Sequence, residues 1–183
     1  MKTPRIVPEN STVKADLDGY LTITGQVGAL MGLGIGLGLY VYGVNVEGIA
    51  NIGLEPQTLW LNYADRKSEQ IKFRGSSYLL RLGYGLPIHG AGMRVTPQVG
   101  IGALIATNDD KVSQQSHATI ATAGLRLEWK PGKAFGLSVV PEYYFCLGRK
   151  DAYKAMADAS KKVKDWSNGF NISLGINFYL SSN

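Results

Sequence analysis

The chain has 183 residues, of which 45% are hydrophobic, 23 are Gly and 10 are Tyr. This length fits one domain of eight membrane strands of roughly 9–11 residues each, and no stretch reaches the ~20 consecutive apolar residues of a membrane helix. The formal net charge is +5, but Lys and Arg are dispersed except between Arg149 and Lys164, which argues against a nucleic-acid-binding stripe.

The N-terminal segment, residues 1–18, is polar and lacks the apolar core of a secretory signal. We expect it to form a periplasmic extension ahead of a barrel over 19–183, and we expect any export signal to have been removed or replaced. The single cysteine, Cys146, has no partner for an internal disulfide, and no Cys/His cluster has metal-ligand spacing. We therefore expect no metal and no cofactor.

Alternation of apolar and polar residues predicts eight strands. The first lies near residues 20–30. The second covers 32–42, and every second residue from Gly32 to Gly38 is glycine. The third covers 44–54, after a tight turn at Tyr42-Gly43. In each of these strands one face carries Leu, Ile, Val or Ala, and the other carries mostly small or polar residues.

Five further strands show the same two faces. They cover residues 77–88, 93–105, 124–130, 135–147 and 170–180. Residues 55–76 fit no strand cleanly, because Trp60, Ile71 and Phe73 do not continue the alternation of their neighbours. We expect a bulge or a rim outside the bilayer at this place.

Connection lengths alternate along the chain. The short ones are at 42–43, 88–92 and 131–134, and the longer polar ones are at 61–69, 107–116 and 149–167. Outer-membrane barrels have short periplasmic turns and longer external loops. The sequence therefore predicts an all-β, eight-stranded, antiparallel up-and-down transmembrane barrel with both termini in the periplasm.

Alternation alone does not distinguish a membrane barrel from a soluble lipocalin-like ligand carrier, in which the apolar face points inward. A water-exposed outer face should be rich in Lys and Glu. The non-apolar face here is largely Gly, Ser, Thr, Asn, Gln and Tyr, which favours the membrane barrel. Aromatic residues near the strand ends fit the membrane–water boundary: Tyr84, Trp129, Phe135 and Phe178 at the periplasmic side, and Trp60, Tyr78, Phe145 and Phe170 at the external side.

The lumen is predicted to hold six charged residues, three of each sign. They are Glu47, Arg81, Arg94, Arg126, Glu128 and Glu142. A buried charge is costly unless it is paired, so the balance favours a salt-bridged plug in a barrel too narrow for a wide channel. We expect Arg126 and Glu142 to be diagonal neighbours. A narrow pore for small solutes or ions is the alternative.

The glycine series from Gly32 to Gly38 has a strict period of two, which excludes the G-x-G-x-x-G loop of dinucleotide-binding proteins. If Tyr42-Gly43 is a two-residue turn, Gly38 faces Glu47 on the neighbouring strand. We expect these glycines to make room for larger side chains inside the barrel.

Catalytic groups are not predicted. His89 lies in a short turn. His117 and Glu128 are eleven residues apart. If one extended strand contains both, they lie about 35 Å apart and on opposite faces. We therefore expect a protein that is not an enzyme.

The segment 149–167 shows helical rather than strand periodicity. Tyr153, Met156, Ala159 and Val163 recur at helical spacing among Lys and Asp, which predicts a short external helix. Its candidates for contact with anionic lipopolysaccharide or a partner protein are Tyr153, Lys154, Lys161, Lys162, Lys164 and Trp166. A solvated helix that only caps the barrel is the alternative.

The last predicted strand, from Ser173 to Leu180, has polar residues and a Gly between apolar positions and an aromatic near its end. It is similar to the C-terminal assembly signal of OmpA/OmpX-type outer-membrane barrels, although it ends on Leu180 and three residues follow. Over residues 19–180 the chain resembles this eight-stranded family, including its Bacteroidetes barrel-domain members. The resemblance implies an integral outer-membrane protein of a Gram-negative bacterium with a structural, surface-interaction or accessory-subunit role, whose partners are lipid, lipopolysaccharide and other outer-membrane proteins.

Overall fold

The computed structural model describes residues 17–54, 56–61, 69–88, 92–108 and 115–180. The strands are β1 (Leu17–Gly28), β2 (Gly32–Val41), β3 (Val44–Gly53), β4 (Gln57–Leu61), β5 (Glu69–Tyr84), β6 (Leu86–Ile88), β7 (Met93–Asn108), β8 (Gln115–Trp129), β9 (Phe135–Arg149) and β10 (Gly169–Leu180). Two helices, α1 (Asp151–Ala159) and α2 (Lys161–Ser167), lie between β9 and β10. Neither these two nor any other segment of the described residues is a helix long and apolar enough to span a membrane.

The strands close into an antiparallel barrel. Each barrel strand pairs with the next along the chain, and β1 pairs with β10 to complete the ring. The short β4 follows β3 and pairs with the same neighbour, β5, while β6 follows β5 and pairs with the same neighbour, β7. The ten strand segments therefore form eight barrel strands, which confirms the predicted eight-stranded barrel.

The apolar face of the wall points outward. On β2 the side chains of Leu33, Ile35 and Leu37 are 52%, 56% and 65% exposed. The inward-facing Thr22, Asn45 and many other polar residues are buried. A soluble barrel has the opposite arrangement, so the lipocalin-like alternative does not fit, and the outer wall is suited to lipid hydrocarbon.

The two ends of the barrel differ. The turn end contains the turns at 42–43 and 131–134, the start of β1 and the end of β10. The loop end contains α1, α2 and the short link at 29–31. Exposed aromatic side chains lie near both ends, as the sequence predicts: Tyr84, Trp129, Phe135 and Phe178 near the turn end, and Tyr78, Phe145 and Phe170 near the loop end. The side chain of Trp60 lies outside the described part of the structure.

The predicted strands differ most from the structure at β8 and in the segment 55–76. β8 begins at Gln115, well before the predicted start at 124. The unassigned segment 55–76 contains β4 and the first part of β5, which pair with each other. Phe73 does keep the inward direction of its strand, and it is 1% exposed. The alternation is hidden there because Phe73 belongs to an apolar cluster inside the loop end of the barrel.

The predicted extension over 1–18 falls mostly outside the described residues, but Leu17 and Asp18 are already part of β1. The predicted turn residue His89 and the three residues after Leu180 also lie outside the described residues.

A charge on the outer wall tests whether that wall faces hydrocarbon. Leu174 is 58% exposed and lies midway between Phe170 and Phe178 on β10. We predict that Leu174→Arg lowers the free energy of unfolding in lipid vesicles by about 2–4 kcal/mol, because the charge lies at the bilayer midplane. Urea titration of the refolded protein measures this change.

The matched control is Leu180→Arg. Leu180 is 66% exposed on the same face but lies beyond Phe178, at the turn end. Its substitution should cost only about 0–1 kcal/mol, because the arginine reaches the interface. Equal effects of the two substitutions would contradict a membrane-spanning wall.

Candidate functional site

The lumen contains a ladder of ion pairs in which the sign of charge alternates. The structure places all six predicted lumen charges inside the barrel and adds two more. In order of contact the charge ladder is Glu142, Arg81, Glu47, Arg126, Glu128, Arg94, Asp18 and Lys130. The four positive and four negative groups balance, as buried charges must if the fold is to tolerate them.

Arg81 is the central cation of the inner part of the charge ladder. Its Nε and Nη2 donate to the two carboxylate oxygens of Glu142 at 3.0 and 2.6 Å. Its Nη1 donates to Oε2 of Glu47 at 2.9 Å. All three side chains are at most 1% exposed. Two-pronged arginine–carboxylate bonds of this kind fix the geometry of both partners.

Arg126 continues the charge ladder on the other side of Glu47. Its Nη1 donates to Oε1 of Glu47, and its Nε donates to Oε2 of Glu128 at 3.2 Å. Its Nη2 donates to Oδ1 of Asn177 at 2.8 Å, which ties β8 across the lumen to β10. Every nitrogen of this buried guanidinium thus has an acceptor, which offsets part of its desolvation.

The charge ladder ends among partly exposed groups at the turn end. Nη1 of Arg94 lies 3.6 Å from Glu128, and Nη2 lies 3.8 Å from Oδ2 of Asp18. Nζ of Lys130 donates to the same Asp18 oxygen at 2.9 Å. Arg94 and Asp18 are 20% exposed and Lys130 is 26% exposed, so water screens this end more than the rest.

Tyrosine rings pack against two arginines of the charge ladder. The guanidinium of Arg126 lies 4.6 Å from the ring centre of Tyr20, and that of Arg94 lies 4.0 Å from the ring centre of Tyr40. The hydroxyl of Tyr20 also donates to Oε1 of Glu47 at 3.2 Å. These rings contact the cations by their faces and fill the space between them.

Glu142 bonds to Arg81 and not to Arg126, its predicted diagonal neighbour. The register places Arg126 opposite Val140, so Glu142 is its diagonal neighbour as predicted, but Glu142 is bonded to Arg81 instead. Arg126 is occupied by Glu47 and Glu128. Asp18 and Lys130 are not among the predicted lumen charges, although Lys130 has the inward direction of Arg126 and Glu128.

The inward glycines of β2 provide space for the charge ladder. Gly38 faces Glu47 in the register, as predicted, and Gly34 faces Asn51. A Cβ added at Gly38 would overlap the ring of Tyr20, the same ring that contacts Arg126. Any larger residue there would displace Tyr20 and with it one bond to Glu47.

Above the charge ladder, toward the loop end, a cluster of apolar side chains fills much of the lumen, next to a few buried polar groups such as Gln26 and Asn171. Its buried side chains form the upper core: Leu30, Ile49, Phe73, Leu79, Leu104, Ala106, Ala118, Ile120, Tyr144, Tyr153, Ala157, Val163 and Trp166. The last four belong to α1 and α2, so the two helices close the loop end of the barrel. We refer to them together as the helical cap.

The helical cap is held by packing and by a few hydrogen bonds. Trp166 packs against Phe73 with the rings tilted and their centres 4.8 Å apart, and a Cβ on Gly75 would collide with the Trp166 ring. The hydroxyl of Tyr153 donates to the carbonyl oxygen of Val163 at 2.9 Å and joins the two helices. The backbone N–H of Cys146 donates to Oδ1 of Asn168 at 2.9 Å.

The predicted single helix is two helices, because the backbone at Ser160 is extended. The helical phase restarts there, so Ala157 is buried and Ala159 is exposed. Two of the six predicted contact residues are also not on the surface: Tyr153 is 0% and Trp166 is 7% exposed. They are buried because their rings complete the upper core. The other four are exposed: Lys154, Lys161, Lys162 and Lys164.

Among the described residues, no three His, Cys, Asp or Glu side chains lie in a group that could hold a metal ion. His117 is exposed on β8, and Glu128 on the same strand is buried in the lumen, as their opposite faces predict. The chemistry that this arrangement supports is electrostatic: a neutral, hydrogen-bonded lumen and a cationic outer surface on the helical cap.

The barrel is similar in fold to several solved structures of outer-membrane proteins. A major outer membrane protein from Thermus thermophilus matches with a TM-score of 0.62 and 8% identity over 90% of this chain and 100% of that chain. The N-terminal β-barrel domain of Pseudomonas aeruginosa OprF gives 0.59 and 13% over 89% and 97%. Neisserial surface protein A gives 0.54 and 9% over 88% and 94%.

The fold is therefore that of the eight-stranded outer-membrane barrels, which confirms the predicted likeness to the OmpA/OmpX type. No protein-family model and no curated protein matches the sequence. At such low identities the likeness concerns the fold, and the function must be argued from this chain's own residues.

The central cation of the charge ladder provides a direct test of its contribution. We predict that Arg81→Met lowers the free energy of unfolding by about 3–5 kcal/mol, because two buried carboxylates, Glu47 and Glu142, each lose a partner. The double variant Arg81→Met, Glu142→Gln should recover part of the loss. Urea titration of the refolded barrel measures all three proteins.

The control is Arg94→Met, which removes a cation from the partly exposed end of the charge ladder. Its effect should be smaller because water screens the remaining charges. If Arg81→Met lowered the free energy of unfolding no more than Arg94→Met, the charge ladder would not stabilise the fold as proposed.

The buried phenol of the helical cap gives a pH dependence. Burial raises the pKa of Tyr153 from 10.0 to about 12. A raised pKa means that the stabilisation is complete below pH 10 and is lost as the pH rises through about 12. We predict that the helical cap loosens over this interval, seen as a red shift of Trp166 fluorescence in a background with Trp60→Phe and Trp129→Phe.

The control is Tyr153→Phe in the same background. Phenylalanine cannot ionise, so the alkaline shift should be reduced, while the loss of the bond to Val163 should cost about 1 kcal/mol at neutral pH. Identical pH profiles with and without the hydroxyl would contradict the assigned role of Tyr153.

Proposed function

We propose that this chain is a non-enzymatic outer-membrane protein whose barrel is a filled anchor and whose working surface is the outer face of the helical cap. The observation that carries the proposal is the filling of the lumen at two levels. The charge ladder crosses it below, and the upper core closes it above. A barrel filled in this way can anchor the helical cap at the membrane, and it leaves little room for transport through the lumen.

The alternative of a narrow pore has less support. An open path would need mobile or unpaired charges along the lumen, whereas Arg81, Glu47 and Arg126 are at most 1% exposed and bonded to one another. Beyond them Phe73 and Trp166 pack ring against ring. Ion passage would require both layers to separate.

The outer face of the helical cap is cationic. Between Arg149 and Asn168 there are six Lys or Arg and three Asp. The lysines are exposed, whereas Tyr153, Ala157, Val163 and Trp166 of the same helices are buried in the upper core. A surface with this charge next to a membrane attracts anionic headgroups, each nearby cation contributing about 1 kcal/mol.

The proposed orientation places the turn end in the periplasm and the helical cap outside. Short turns and longer loops at opposite ends support it, since outer-membrane barrels have this asymmetry. The phosphates of lipopolysaccharide would then lie at the level of Lys154, Lys161 and Lys164. A partner protein with an acidic surface would bind the same face, which is the accessory-subunit form of the proposal.

The cationic face is tested by neutralising three of its lysines. We predict that Lys154→Gln, Lys161→Gln and Lys164→Gln together weaken binding of lipopolysaccharide to the barrel in phosphatidylcholine nanodiscs by about a hundredfold, since three cations near the surface contribute about 1 kcal/mol each. The difference should shrink in high salt because the charges are exposed. Binding is measured with immobilised nanodiscs.

The control is Lys133→Gln, which removes an exposed lysine at the turn end. It should leave binding unchanged. Equal binding by the triple variant and the wild type would remove lipopolysaccharide as the partner. Purification from native membranes in mild detergent would then show whether another outer-membrane protein co-purifies with the wild type and is lost from the triple variant.

A further inference from the structure

β9 contains a β-bulge at Leu147, because β8 pairs with Cys146 and Gly148 and leaves Leu147 without a partner. A bulge shifts the alternation of inward and outward side chains by one residue. Without it Arg149 would point outward, as Leu147 does. With it, Arg149 lies opposite the buried Ala118 and is only partly exposed. The bulge therefore turns this arginine away from the lipid-facing wall and toward the helical cap.

Arg149 is held in place by a hydroxyl group and not by a carboxylate. Its Nε and Nη2 donate to Oγ of Ser167 at 3.2 and 3.0 Å, and this Oγ donates to the carbonyl oxygen of Lys164 at 3.0 Å. Arg81 and Arg126 each bond to carboxylates, whereas no carboxylate among the described side chains forms an ion pair with Arg149. The bond to Ser167 thus fixes the direction of a guanidinium whose charge these side chains do not neutralise.

Arg149 lines a pocket next to α1, which we call the bulge pocket. The other charged or polar side chains that line it are Lys154, Asp158 and Asn168, and Gly148 lines it as well. The bulge pocket has a volume of about 350 Å³, which is within the usual range of ligand sites. Oδ1 of Asn168 accepts a backbone N–H of β9 at 2.9 Å, which leaves the amide nitrogen as a donor. Two cations and one carboxylate therefore surround a small polar pocket.

The bulge pocket lies at the level of the lipid headgroups. Leu147, which also lines it, is exposed on the outer wall two residues beyond Phe145, about 7 Å at the rise of a β-strand. Phe145 and Phe170 belong to the loop-end aromatic residues, and such residues mark the boundary between hydrocarbon and headgroups. The bulge pocket is therefore just on the water side of this boundary, where lipid phosphates lie.

We propose that the bulge pocket binds a phosphate monoester of lipopolysaccharide. This inference deepens the proposed function and rests on it, because the helical cap must face the outer leaflet. A phosphate monoester carries about −1.5 to −2 charges at pH 7, which suits Arg149 and Lys154 together. The guanidinium and the Asn168 amide provide hydrogen-bond donors. The acyl chains of the same molecule can lie on Leu147 and Phe145, a contact that free phosphate does not make.

Binding of lipopolysaccharide at high salt tests the bulge pocket in the intact barrel, held in phosphatidylcholine nanodiscs. At about 1 M NaCl the Debye length is about 3 Å, so exposed charges contribute little, whereas direct hydrogen bonds to a phosphate persist. We expect Arg149→Gln to weaken binding by about tenfold at this salt concentration, and Lys154→Gln by about fivefold, as for the loss of a hydrogen bond between charged groups.

The matched control neutralises two exposed lysines outside the bulge pocket, Lys161→Gln with Lys164→Gln. Its effect should be large at low salt and less than about twofold at high salt, because only screened charges are lost. Circular dichroism and Trp166 fluorescence show whether each variant keeps the helical cap in place. Lys154→Gln tests the bulge pocket without touching the bond between Arg149 and Ser167.

Asp158→Asn provides a test of opposite sign. This change removes the carboxylate from the bulge pocket and should strengthen binding of lipopolysaccharide by about threefold, because a partly exposed like charge costs little but opposes the phosphate. Lipopolysaccharide from which the phosphates have been removed should bind the wild type and Arg149→Gln equally. Millimolar inorganic phosphate should not displace intact lipopolysaccharide, since it lacks the acyl chains.

The results that would overturn the proposal differ from those that would overturn the proposed function. Binding at low salt that disappears at high salt, or equal weakening at high salt by Arg149→Gln and by the control, would leave the cationic face but remove the bulge pocket as a site. Weaker binding by Asp158→Asn would indicate a cationic ligand, and displacement by inorganic phosphate would indicate a free anion. Absence of binding by the wild type at both salt concentrations would overturn both proposals.

Discussion

The charge ladder in the lumen is the interaction on which the rest of the structure depends. The outer wall is apolar, so the barrel must place its polar and charged side chains inside, away from bulk water. Glu47 and Arg126 are buried there and are tolerated because each has more than one partner. The inward glycines follow from the same requirement, since Gly38 leaves the space that Tyr20 needs beside Arg126. The inward glycines of β2 are thus required by the larger side chains that pack beside them in the lumen.

The upper core explains why the helical cap is part of the fold. Phe73, Leu104 and Ile120 point into the lumen near its loop end, where an uncovered barrel would expose them to water. Trp166 and Tyr153 cover them, and the lysines of the same helices remain outside. The helical cap therefore joins the interior to the outer surface. This arrangement directs the proposed binding function to the helical cap and not to the lumen.

Much of this fold could be predicted from the sequence, because strand periodicity determines which residues face inward. The inward direction of Glu47, Arg81 and Arg126 follows from counting by two. The bond between Arg81 and Glu142 does not, since these residues are 61 positions apart and meet only across the closed barrel.

Other features could not be predicted for local reasons. Phe73 has the inward direction, but its apolar side chain hides the alternation. The break at Ser160 has no strong sequence signal, because the residues on both sides favour a helix. Tyr153 and Trp166 resemble surface aromatics until the upper core beneath them is known.

Conductance across a planar lipid bilayer tests the central claim most directly, namely that side chains fill the lumen. The wild-type barrel should give no reproducible channels. A variant in which a short Gly/Ser linker replaces 151–167 should also remain closed, because the charge ladder still crosses the lumen. Reproducible single-channel steps from the folded wild-type protein would contradict the account.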